Sequence, residues 1–176
     1  RACWAARTED DDDGTVRPKR KDELYDEHLI LSLSSTKTTM VLETGEELKE
    51  VSKDVDFIVA EETLACGRVF NGRAIAQVTK TRIRFTRKGK KFAADDIDIA
   101  FLRGGDSHIT LAIIQNDAIA LRLSDGSIKI ILKDTTTNTF TLLEKSEELF
   151  PSDDHSSMGN DVTAFTLYDD SVMCAD

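Results

Sequence analysis

Apolar and polar residues along this chain fall into short runs of five to seven residues, separated by turn-forming residues. In Arg82-Ile83-Arg84-Phe85 the two kinds alternate strictly. Alternation puts successive side chains on opposite faces of an extended strand. Runs of this length bounded by Gly, Asn, Asp and Ser predict β-strands. Asn71-Gly72 is the strongest hairpin signal, and Asn116-Asp117 and Asp125-Gly126 hold similar places. Both prolines, Pro18 and Pro151, lie outside the strands, where no ladder hydrogen bond is lost.

The runs repeat. His28 to Leu33, Arg73 to Val78 and Asp117 to Leu123 each precede a turn and a second strand: Thr38 to Leu42, Thr81 to Phe85 and Ser127 to Leu132. Aligning Leu29, Ala74 and Ala118 gives steps of 45 and 44 residues, and a further 44 lands on Val162 within Asp161 to Leu167. A period near 44 built from short strands fits a propeller blade of four antiparallel strands; a β-sandwich needs no fixed period of this size. The pattern predicts an all-β fold: a β-propeller fragment of about three four-stranded antiparallel blades plus the start of a fourth.

The blades occupy residues 1–150. The middle blade is expected over Thr63 to Phe70, Arg73 to Val78, Thr81 to Thr86 and Lys90 to Ala93. The third is expected over His108 to Gln115, Asp117 to Leu123, Ser127 to Lys133 and Thr139 to Glu144. Ala2 to Ala6 reads as the inner strand of the first blade, separated from its partner at His28 by a polar insert, Arg7 to Glu27. That insert has too few apolar residues to order itself. A linker follows at 151–160, and 161–176 opens the next blade.

Charge narrows the partners. The net charge is −10, which disfavours general nucleic-acid affinity, since that rests on Lys and Arg neutralising phosphates. Local basic runs stand out against it. Lys80, Arg82 and Arg84 share one strand face by period two, and Arg87, Lys88, Lys90 and Lys91 continue the surface. Together they form a candidate phosphate or acidic-partner patch, with no exposed aromatic among them to stack a base. Arg17-Pro18-Lys19-Arg20-Lys21 has the form of a nuclear import run.

No catalytic, metal or cofactor site is expected. The acidic run Glu9 to Asp13, followed by Gly14, fails as a calcium loop because Arg20 stands where a bidentate Glu is required. His28, His108 and His155 have no metal-ligand spacing. Cys3, Cys66 and Cys174 form no C-x-x-C pair and are expected to be buried apolar thiols. Gly104-Gly105 reads as a turn between blades, and no Gly-rich phosphate loop or nucleophile elbow is present. No run of about 18 apolar residues suggests a membrane span.

Leu29-Ile30-Leu31-Ser32, then Thr38-Thr39-Met40-Val41-Leu42-Glu43-Thr44-Gly45-Glu46-Glu47-Leu48, then Ile75-Ala76-Gln77-Val78 and Ile83-Arg84 carry a resemblance. The chain resembles the family of large propeller scaffolds that includes the largest subunit of the cleavage and polyadenylation specificity factor. The large subunit of damaged-DNA-binding protein and the splicing factor 3b propeller subunit belong to the same superfamily. Thr39 to Leu42 with Thr44-Gly45, and the Trp4 strand followed by an acidic insert, are most like the polyadenylation branch. The likeness weakens after Arg84.

The resemblance implies a nuclear, non-catalytic scaffold for pre-mRNA 3′-end cleavage and polyadenylation. It would organise WD-repeat and zinc-finger subunits that read the polyadenylation signal, contact RNA mostly indirectly and stay off membranes. Alternatives are a propeller adaptor in a cullin ubiquitin ligase, DNA-repair or splicing complex, and a direct RNA-binding module using the basic stripe 80–91. Three blades and a stub cannot close a ring that needs four or more. The 176-residue piece expressed alone is therefore expected to aggregate or fold marginally; a sharp, reversible, monomeric unfolding transition would contradict that.

Overall fold

Alternating runs become strands that pair with their sequence neighbours. The computed structural model describes residues 2–6, 27–70, 72, 74–87, 90–91, 97–98, 107–115, 118–134, 139–142, 164–168 and 171–175. At 87, 90–91, 97–98, 133–134, 139–142, 164–168 and 171–175 the description is of the backbone alone. Among the described residues there is no helix.

The first sheet is β1 (Ala2–Ala6), β2 (His28–Leu33), β3 (Thr38–Glu43) and β4 (Lys49–Glu50), in that order. The second is β5 (Ala65–Val69), β6 (Ala74–Val78), β7 (Arg82–Arg87) and β8 (Lys90–Lys91), with β9 (Ile97–Asp98) also pairing β7. The third is β10 (Ile109–Gln115), β11 (Ala118–Leu123), β12 (Ile128–Asp134) and β13 (Thr139–Leu142). β14 (Ala164–Tyr168) and β15 (Ser171–Ala175) pair as a fourth sheet. All these ladders are antiparallel.

First strands meet first strands: β1 packs on β5, β5 on β10 and β10 on β14. This corrects the sequence reading at the C-terminal end. A step of 44 aligned Val162 with the second strands, whereas β14 packs on a first strand and β15 follows as its hairpin partner. The connection before β14 differs in length from the earlier ones, so a fixed period fails there.

Facing gives a second correction. Ile30 points into the core between the first and second sheets, and Ala74 into the core between the second and third. Ala118 points to the far side of the third sheet. Ile30, 44 residues before Ala74, shares the facing of Ala74 and Ala118, whereas Leu29 lies on the opposite face of its strand. A one-residue slip in a strand turns every side chain to the opposite face.

Sheets pack large side chains against small ones. Ala74, Ala76 and Val78 of β6 meet Ile119, Leu121 and Leu123 of β11, with Ile83, Phe85 and Ile131 around them. A close approach between sheets lies at Gly67 on β5. A Cβ there would lie 3.0 Å from both Cβ and Cγ2 of Ile114 on β10.

Turns follow their residue chemistry. Gly126 adopts φ 87° and donates its N–H to the Leu123 carbonyl at 3.1 Å, while Leu123 donates to the Ser127 carbonyl at 2.8 Å. This is a three-residue hairpin loop closed by a left-handed glycine. β5 and β6 also pair as a hairpin, with Phe70 at φ 56° and Gly72 at φ 85° in the connection, where Asn71 lies outside the described residues. A left-handed phenylalanine is strained. It is held by burial and by edge-on packing against Phe85, with centroids 6.0 Å apart.

Two short strands, β4 and β9, escaped the sequence reading. Both β4 residues are exposed, so no alternation marks them. Pairing with β3 continues past β4. Val51 donates to the Val41 carbonyl at 2.9 Å, and Ser52 Oγ accepts the Val41 N–H at 2.9 Å. The expected disordered insert lies outside the described residues up to 26. Glu27 closes its base by donating to the Ala6 carbonyl at 3.1 Å. The expected linker at 151–160 also lies outside them.

Gly67→Ala should destabilise the blade pair by about 1–3 kcal/mol, because the new methyl overpacks against Ile114. Adding Ile114→Ala should cost less than the sum of the two single changes. Thermal unfolding of the three variants checks this.

Candidate functional site

The first two sheets are joined by residues 51–64, which run across the face between them. A buried polar side chain fastens this connection. Gln77 on β6 is 0% exposed. Its Oε1 accepts the Ile58 N–H at 2.7 Å, and its Nε2 donates to the Ile58 carbonyl at 2.9 Å and to Thr63 Oγ1 at 2.8 Å. Thr39 on β3 donates its hydroxyl to the Glu61 carbonyl at 2.8 Å. A hydroxyl has one proton, so Thr63 is the donor in its 2.7 Å bond to Thr39 Oγ1. Thr39 N–H also donates to the Val59 carbonyl at 3.0 Å. Every polar atom in this chain of bonds is used, as burial demands.

Acidic residues on the same connection meet the basic stripe. Arg84 Nη1 lies 3.0 Å from Asp56 Oδ1, and Arg82 Nε lies 3.7 Å from Glu61 Oε1. Thr81 donates its hydroxyl to the Glu61 carboxylate at 2.9 Å. The expected alternation holds, since Ile83 and Phe85 are buried on the other face. The face bearing Arg82 and Arg84, however, looks onto residues 51–64. The sequence reading placed there a surface for an outside anion; the anions nearest to these two arginines are the chain's own.

Lys80 sits in the β6–β7 turn, half-buried, and its carbonyl accepts the Ile109 N–H at 3.0 Å. Arg87 and Lys90 are paired backbone neighbours at the β7–β8 turn, with Lys91 opposite Thr86. Lys88 lies outside the described residues, as does the whole candidate import run Arg17, Pro18, Lys19, Arg20 and Lys21.

A depression of about 530 Å³ opens at the far end of the first sheet, where β2 begins and β3 ends. Glu27, His28, Glu43, Lys49, Asp54 and Val55 are among its walls. His28 is 7% exposed, and its ring is tilted against Phe57 with centroids 6.0 Å apart. Its Nδ1 is buried without a hydrogen-bond partner. Burial pulls the imidazole below its ordinary value, against the opposing fields of Glu27 and Glu43. Sequence spacing could not reveal this site, because its walls come from 27–28, 43–44 and 49–55 and match no motif.

The cysteine expectation divides. Cys66 is buried and its thiol is pushed up to about 12 by desolvation, which keeps it protonated and inert. Cys3 is exposed, which corrects the expectation of burial. It lies on the face of β1 opposite Trp4 and Ala6, the residues that pack on the second sheet. Among the described residues no His, Cys, Asp and Glu group could hold a metal ion.

Four-stranded antiparallel sheets that stack through their first strands are the blades of a β-propeller. The chain belongs to the RSE1/DDB1/CPSF1 second β-propeller family, whose model matches residues 4–174. Among curated relatives, it is 29% identical over 155 residues to the Oryza sativa subsp. japonica protein named "Probable cleavage and polyadenylation specificity factor subunit 1", covering 85% of this chain and 10% of that one. It is 31% identical over 128 residues to the Arabidopsis thaliana cleavage and polyadenylation specificity factor subunit 1, covering 69% of this chain and 9% of that one. The Drosophila melanogaster subunit of the same name is 27% identical over 118 residues, covering 65% and 8%. The chain thus spans about a tenth of the length of these relatives.

Gln77→Leu removes three bonds and leaves the Ile58 amide and carbonyl buried without partners. The joint should lose about 2–4 kcal/mol. Amide exchange across 55–64 should quicken while 118–123 keeps its protection. Unchanged exchange at 55–64 would mean that the glutamine does not hold the connection.

Proposed function

We propose that this chain is a non-catalytic scaffold segment of a nuclear pre-mRNA 3′-end cleavage and polyadenylation complex. Its blades would hold partner subunits at fixed geometry, among them WD-repeat and zinc-finger proteins that read the polyadenylation signal. The observation that carries this reading is the family match over 4–174, together with relatives named as subunit 1 of the cleavage and polyadenylation specificity factor. The fully bonded joint between the first two blades supports it, since a positioning surface must be stiff. On this reading the chain acts by presenting loops and blade edges, and RNA is met mostly through its partners.

Two features weigh against direct RNA binding through the stripe 80–91. Arg82 and Arg84 already face Glu61 and Asp56, and the net charge is −10. A phosphate would have to displace the resident carboxylates before gaining a contact.

Tagged full-length parent protein recovered from nuclear extract should bring down an endonuclease together with WD-repeat and zinc-finger subunits of the polyadenylation machinery. Recovery of cullin-ligase or splicing subunits in their place would overturn the pathway and leave the fold untouched.

A further inference from the structure

His28 is a buried titratable side chain that neither the hydrogen-bonded joint nor the proposed function uses. It opens β2 on the face shared with Ile30, and its ring is tilted against Phe57 with centroids 6.0 Å apart. Phe57 belongs to the first half of the connection between the blades. The second half is gripped by Gln77 at Ile58 and Thr63. The two halves are thus held by different chemistry, an imidazole that can titrate and an amide that cannot. His28 Nδ1 is buried and has no hydrogen-bond partner. A neutral ring can keep its proton on Nε2 and leave Nδ1 a bare lone pair. In the imidazolium both nitrogens carry N–H groups. Protonation therefore leaves a buried N–H, on a charged ring, with no acceptor, which burial makes costly.

We infer that His28 is a proton-sensitive catch: neutral, it holds residues 51–57 against the first blade through Phe57, and protonated, it loosens them. Charged groups surround the ring from several elements. Glu27 adjoins it in sequence, and Glu43 is its cross-strand partner on β3. Lys49 of β4 and Asp54 of the connection line the same depression. Ala6, opposite it on β1, carries no charge. The core that includes Phe57 draws Cys66 from β5, and that thiol stays protonated. Asp56, next to Phe57, is paired with Arg84. Burial disfavours the cation and outweighs the opposing fields of Glu27 and Glu43. Once loosened into water, the ring takes up a proton near the ordinary value of about 6.5, whereas the docked ring does so only at lower pH. Docking is therefore fully favoured above that value and is lost progressively as pH falls below it.

The catch goes beyond the scaffold reading and does not depend on it. Amide exchange of the full-length parent protein, corrected for the intrinsic effect of pH, measures both halves of the connection at once. Between about pH 7.5 and about pH 5.5, a window above the ordinary carboxylate range, protection at 51–57 should fall at least about threefold. Residues 58–64, held by Gln77, should keep their protection over the same window. His28→Gln and His28→Leu remove the titrating group, and either should flatten the pH response at 51–57. A role in packing alone predicts something else: lower protection in the variants at every pH, with the wild-type slope retained. A variant that keeps that slope overturns the inference. So does a wild-type loss of protection spread evenly over 51–64, or no loss at all, and this regional profile decides the matter even where a variant fails to fold.

Discussion

A fully buried glutamine must find a partner for every polar atom or destabilise the fold that buries it. Gln77 meets that demand by gripping the backbone of Ile58 on both sides and the hydroxyl of Thr63. Because these partners lie on the connection between blades, the path of that connection is set from within the second blade. Thr63 passes the constraint on to Thr39, so the first blade is tied into the same bonds. Asp56 and Glu61 then face Arg84 and Arg82 as a consequence of that path. Ion pairs that are only partly buried, as these are, contribute modestly to stability by themselves. The amide carries the joint, and the surface charges follow from it.

The next joint is built differently. Between the second and third blades the contact is an apolar core in which the alanines of β6 receive the larger side chains of β11. Its polar tie is a backbone bond from Ile109 to the Lys80 carbonyl. Such a core is non-directional, so spacing must be enforced by shape. Gly67 does this by letting β5 and β10 approach where any side chain would strike Ile114. One joint is therefore positioned by hydrogen-bond direction and the other by steric fit. The same repeat unit supports both, because the two faces of a strand are chosen independently in the sequence.

Much of the architecture could be read from alternation, turn residues and a period near 44. The strands of the second and third blades fall within a residue or two of their expected bounds. What failed was local. β4 and β9 are two residues each, too short to show an alternation. Leu29 was aligned in place of Ile30 because Leu and Ile look alike in a hydrophobic pattern, and only packing distinguishes the face. The site was less legible than the fold. The alternating arginines are plain in the sequence, but Asp56 and Glu61 lie 28 and 21 residues upstream of Arg84 and Arg82, with nothing local to announce the pairing. Gln77 stood within a family-like strand, yet its main partner is a backbone group, which no side-chain pattern can indicate.

Placing the basic face against the connection has a further consequence for how such a blade meets other molecules. Arg82 and Arg84 of β7 face acids of the same chain, while Glu43, Glu46, Glu47, Glu50 and Asp54 are exposed. The exterior of the first blade is thereby more acidic than its composition alone would require. Long-range attraction then favours basic partners and repels nucleic acid. On the proposed scaffold reading, RNA would be met through partner proteins, and the charge of this surface would bear on which proteins those are.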